Sequence, residues 1–240
     1  FWAISIHTVT AFLYSANTGR PFWHNALLAP RFIASAFCSG PALAILIEQL
    51  VRKLVGYPVR QSAIDTLRVT MTVALQITLF FVIADLFTDF YFEGAHSASA
   101  RYLYFGLHGA AKLTPWIWSA LALLVIAVTI LMIRSLRRNP LLFNLACVLT
   151  VIGVWIEKGM GLVIPGYIPT PLGEIFEYLP NSTEVRISLA IWAIGLLTFT
   201  LLAKAGMAIE RGQVRLRDDI EEELAGLTND EESESLKTPT

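Results

Sequence analysis

Seven ionisable side chains fall in segments too apolar to hold them cheaply: His7, Arg31, Glu48, Asp85, Asp89, Glu157 and Lys158. A charge inside a bilayer costs several kcal/mol, so such residues face the protein interior and mark paths for protons, ions or substrate. Asp85 and Asp89, four apart, share one face of a helix. Glu157–Lys158 sits about one turn from one end of its own apolar segment, Arg31 opens another right after Pro30, and His7 lies about two turns from the matching end of the first. His7, Arg31, Asp85 and Glu157 therefore share one depth. Carboxylates and an imidazole so placed can take up and release protons, the chemistry of a pocket for a small redox molecule or of a proton relay. The competing account makes Glu157 structural glue, paired with Lys158 or Arg31, and leaves Asp89 among lipid headgroups. Glu48 has Arg52 one turn further on, which predicts an i,i+4 ion pair; otherwise it belongs to the other half of a proton path.

The elements that position these residues are helices. Leu113 to Ile133 runs 21 residues without a charge, and crossing a bilayer as a helix takes roughly 20 apolar residues. Six spanning segments are predicted: Phe1–Ser15, Phe32–Leu54, Asp65–Tyr91, Leu113–Ile133, Leu141–Leu162 and Val185–Ala205. The Gly40–Pro41 pair should loosen the second. Residues 1–205 then form an all-α transmembrane domain, and residues 206–240 an acidic, disordered tail.

Charge gives these segments a direction. Eleven basic residues, among them Arg52, Lys53, Arg137 and Arg138, fall on the side of the short connections and the C-terminus, against six on the other, which places the first group in the cytoplasm. The multi-pass chain would thus lie in the cell membrane with its C-terminus cytoplasmic. The outer connections (16–31, 92–115 and 163–184) are longer. Their aromatics, including Trp23, Tyr102, Tyr104, Trp116 and Trp118, suit an interfacial belt or a docking surface for another subunit.

Composition narrows the chemistry. Hydrophobic residues make up 55% of the chain and charged ones 15%, so its surface is built for lipid, and a net charge of −1 gives no pull towards nucleic acid. Cys38 and Cys147 are the only cysteines, and of His7, His24, His96 and His108 only His7 lies inside a span, so the chain lacks ligands for an iron–sulfur cluster or a bis-histidine haem. No phosphate loop, HExxH or Ser–His–Asp pattern supports hydrolysis.

HTVTAFLYSANTGRPFW, followed by APRFIASAFCSGPAL and later by WIEKGMGLVIPGYIPTPLGEIFEYLPNSTE, resembles the NrfD/polysulfide-reductase membrane-subunit family. Within it the likeness is greatest to DsrP-type subunits of DsrMKJOP complexes, with HybB and QrcD types as near relatives. The resemblance implies two four-helix bundles with flanking helices, of which this chain would carry the second, with its first helix closing the first bundle. It also implies a quinone-interacting subunit without redox metals, here expected to use menaquinone. Its partners would be a ferredoxin-like iron–sulfur subunit on the extracytoplasmic face and other membrane and cytochrome subunits. His7, Arg31 and Glu157 lie on the matching strings; Asp85 comes from the depth argument. An ion- or proton-translocating transporter and a purely structural anchor are the rival functions.

Overall fold

The computed structural model describes residues 1–56, 60–91, 94–177 and 181–212, without the side chains of 95 and 96. Most of the expected acidic tail, from residue 213 on, lies outside the described residues. The chain divides into a unit spanning Phe1–Tyr178 and a second from Leu179 onward.

Eight α-helices occur among the described residues, and no strand: α1 Trp2–Ser15, α2 Leu28–Val55, α3 Gln61–Tyr91, α4 Ala95–Phe105, α5 Thr114–Met132, the single-turn α6 Arg134–Arg137, α7 Pro140–Lys158 and α8 Ser182–Glu210. A π turn, Gly159–Val163, and a 3₁₀ turn, Pro165–Tyr167, extend α7. Five helices are long and apolar enough to cross a membrane: α2, α3, α5, α7 with its extension, and α8. The first of the six expected spans is not among them. Its helix, α1, has 14 residues. The connection after α3, expected as a loop, contains a helix, α4.

In the first unit α2, α3, α5 and α7 pack in a closed ring, and α1 lies against α2. Small and medium side chains fill the ring: Cys38, Ala42 and Ile45 of α2, Met71 and Leu75 of α3, Leu124 and Leu131 of α5, and Ala146 and Cys147 of α7. Gly153 lets α7 approach α5 closely, since a Cβ there would meet Leu124 Cδ2 at 2.8 Å. The outward faces carry exposed Phe80, Ile83, Leu141 and Trp155, the apolar coat of a helix facing lipid. Despite Gly40–Pro41, α2 continues as one helix, though Pro41 has no N–H for the Phe37 carbonyl.

In the second unit α8 begins at Asn181, whose backbone N–H donates to Glu184 Oε2 at 2.8 Å in a capping box. Helix continues to Glu210, beyond the expected limit at residue 205.

Candidate functional site: a buried charge cluster at one end of the helix ring

Arg31 lies in the first turn of α2, so its side chain reaches inward between α3 and α7. Nη1 donates to Asp85 Oδ2 on α3 and Nη2 to Glu157 Oε1 on α7. One planar guanidinium thus ties together three helices, a task suited to its fork of fixed donors. Glu157 is fully buried, and its second oxygen, Oε2, lies 3.1 Å from Lys158 Nζ, close enough for an ion pair though not aligned as a hydrogen bond. The ammonium also sits over the Phe32 ring, 5.1 Å from its centroid. Two cations and two carboxylates balance, which is how buried charge is tolerated. Arg31 Nε nevertheless remains buried without a hydrogen-bond partner.

The connection between α1 and α2 completes the cluster. Asn25 donates from Nδ2 to Asp85 Oδ1 at 2.9 Å while its own Oδ1 accepts from the Leu27 backbone N–H at 2.8 Å. Trp23, two residues earlier, fixes this segment: its indole N–H donates to the Leu162 carbonyl in the π turn at 2.9 Å, and Tyr14 and Tyr167 meet it edge-on, each 4.8 Å between centroids. Gly166 makes room, because a Cβ there would fall 2.0 Å from the indole. The π turn starts right after Lys158 at Gly159, and such turns re-aim nearby side chains.

Arg31, Asp85, Glu157 and Lys158 are therefore brought together; His7 is not. It sits on the α1 side of α2, lining an apolar cavity of about 290 Å³ with Ala3, Ile4, Ile33, Ala36, Phe37 and Pro41. Shared depth did not make one pocket, because α2 stands between. His7 Nδ1 donates to the Ala3 carbonyl at 2.7 Å, which leaves Nε2 free. Asp89 lies one turn beyond Asp85, half-buried, with no ion pair among the described residues. The expected Glu48–Arg52 pair does not form; Glu48 Oε2 is buried without a hydrogen-bond partner while the Arg52 side chain turns into a basic cavity.

Two contributors escape the sequence. Asn25 sits in a loop where one amide carries no periodic signal, and Tyr104 reads from sequence as part of an aromatic belt. The belt expectation is corrected for Trp23, Tyr102 and Tyr104, all buried because the connections at this end fold over the helix ends, whereas Trp116 and Trp118 are half exposed. Burial pushes the Tyr104 phenol well above its usual range; the Arg31 charge opposes this, and Glu157, Asp89 and Asp85 add to it. Nearby, the Lys112 backbone N–H (2.9 Å) and ammonium (3.1 Å) and the Tyr102 hydroxyl (3.4 Å) converge on Glu177. Those donors, the backbone N–H foremost, hold its carboxyl below the usual range, and burial with the neighbouring Glu177 charge raises Tyr102 to about 12.

A ring of apolar helices closed at one end by ordered, aromatic-rich connections over buried charge defines a polytopic membrane protein. This chain belongs to the NrfD polysulphide reductase family, which it matches over residues 1–170. It is also similar to a putative membrane subunit of dimethyl sulfoxide reductase from Halobacterium salinarum, with 27% identity across 85% of this chain. The chain spans half the length of that curated relative, which is a membrane subunit of a reductase rather than a DsrP-type subunit.

Proposed function

We propose that the chain is a quinone-interacting membrane subunit of a respiratory redox complex, exchanging electrons between menaquinone and an extracytoplasmic ferredoxin-like iron–sulfur subunit. Family membership supports the class, and the buried Arg31–Asp85–Glu157–Lys158 cluster carries the mechanistic part. A quinone accepts or releases two electrons together with two protons, so its site needs groups that exchange protons out of contact with bulk water. Glu157 and Asp85 hold and move those protons, and Arg31 fixes both carboxylates in place. His7 fits a flat quinol ring: its cavity is apolar, and Nε2, unprotonated while Nδ1–H donates to the Ala3 carbonyl, can accept the hydrogen bond and the proton of a ring hydroxyl. Asp89 is the next acceptor along α3 towards the helix end. The assembly is either DsrP-type, as the motif strings suggest, or of the dimethyl sulfoxide reductase kind, and the subunits that co-purify with the chain decide between them.

The same ion pairs favour a structural reading, in which the cluster only clamps three helices. Glu157→Gln in the assembled complex separates the two. Proton transfer predicts quinol-dependent turnover lowered by roughly 10²-fold or more with assembly retained. Normal turnover in whatever complex survives would retire Glu157 from proton transfer.

A further inference from the structure

At the opposite end of the ring from the charge cluster lies a cavity of about 870 Å³, bordered by Arg52 and Lys53 of α2, Arg68 of α3, and Arg134, Arg137 and Arg138 around α6. Little of this charge is used internally. Arg68 Nη2 pairs with Asp65 at 3.0 Å, and Arg137 Nη1 donates to the Leu131 carbonyl at 2.9 Å. Arg52, Lys53, Arg134 and Arg138 have no ion-pair partner among the described residues, and Arg68 Nε is buried with no acceptor. The inward bias of basic residues accounts for their presence on this side, but not for six from around two connections converging on one basin. Exposed apolar side chains flank it at the same level: Leu50 and Leu54 at the end of α2, Ile133 before α6, and Leu141 at the start of α7.

We propose that this basin binds the phosphate of an acidic phospholipid headgroup, with the acyl chains running along the neighbouring apolar surface. A basic recess between the ends of spanning helices sits at headgroup depth, where each cation adds to the attraction for anionic lipid. Forked guanidinium groups suit phosphate oxygens, and the flanking leucines give the chains what a free anion would not use. The proposal holds whether or not the chain handles quinone, because it uses none of the residues assigned to that role.

The test is native mass spectrometry of the full chain in a neutral detergent, titrated with phosphatidylglycerol or with phosphatidylcholine, with inorganic phosphate as competitor. Phosphatidylglycerol should bind at one preferred site and resist millimolar phosphate. The double variant Arg134→Gln/Arg138→Gln should weaken it by roughly 30-fold, two cations at about fivefold each. Arg60→Gln, on the same side but not bordering the basin, should leave it unchanged. Equal affinity for the two lipids, displacement by phosphate alone, or equal losses in Arg60→Gln and the double variant would each overturn the proposal. So would binding that arises only after Glu221, Glu222 and Glu223 are changed to Gln, since the chain's own acidic segment would then be the occupant.

Discussion

Arg31 is the residue on which the cluster turns, because its two arms reach carboxylates on different helices. Arg31→Gln leaves Asp85 and Glu157 facing each other with only Lys158 to balance them, and should cost on the order of 3–5 kcal/mol, seen as a lower melting temperature or failed assembly. Arg31→Lys restores the charge but not the fork, so a point donor satisfies one carboxylate at a time and recovers only part of the loss. The charge-balanced pair Arg31→Gln/Glu157→Gln should be less destabilised than the sum of its single changes, since each removes the other's unpaired partner. Additive losses in that cycle would show that the two groups are not coupled. Most of this centre could be read from sequence, because intramembrane charge is costly enough to stand out residue by residue. Asn25 and Tyr104 could not, since their roles depend on how the connections at the cluster end fold back, and local spacing carries no record of that.

At the scale of elements, the C-terminal end of α7 is held by contacts between distant segments, and two of them give separate readouts. Gly166→Ala drives a Cβ into the Trp23 indole. The expected cost is about 1–3 kcal/mol, with faster proteolysis of the connection between α1 and α2, while the equally small change Gly206→Ala, in a helix and with nothing near it, should not destabilise. The second hold is Glu177, whose depressed pKa makes the segment before Tyr178 sensitive to acid. The stabilisation is fully present above the unfolded glutamate value, near 4.3, and is lost as pH falls through the lower folded value. Cleavage after Phe176 should therefore accelerate only in that acid window, and Glu177→Gln should be fast at every pH. Tyr102 acts in the opposite direction: the folded chain keeps its proton between about 10 and about 12, so stability declines as pH rises through that interval. The helices themselves were legible from runs of apolar residues. The fold of α4 was not, because an 11-residue helix of mixed polarity leaves no hydropathy signature distinct from a loop.

For the molecule as a whole, the two ends of the ring differ in kind, and the difference predicts how the chain sits in its membrane. One end carries α6 and the short basic connections that gather six cations around a single basin; the other carries the folded connections, the buried tryptophan and a charge cluster that balances to zero. Insertion machinery retains Lys and Arg on the cytoplasmic side, so the basin end should face inward and the cluster end outward. Arg138 and Leu172 are well suited to test this, being exposed residues at opposite ends whose side chains enter no hydrogen bond or ion pair among the described residues. With Cys38 and Cys147 replaced by Ala, Leu172→Cys should react with a membrane-impermeant thiol reagent applied to intact cells, and Arg138→Cys should react only after the membrane is opened. The reverse pattern would turn the chain over. The charge cluster would then face the cytoplasm, an iron–sulfur partner docked beside it would be a cytoplasmic protein, and any protons passing through Asp85 and Glu157 would exchange with the opposite compartment.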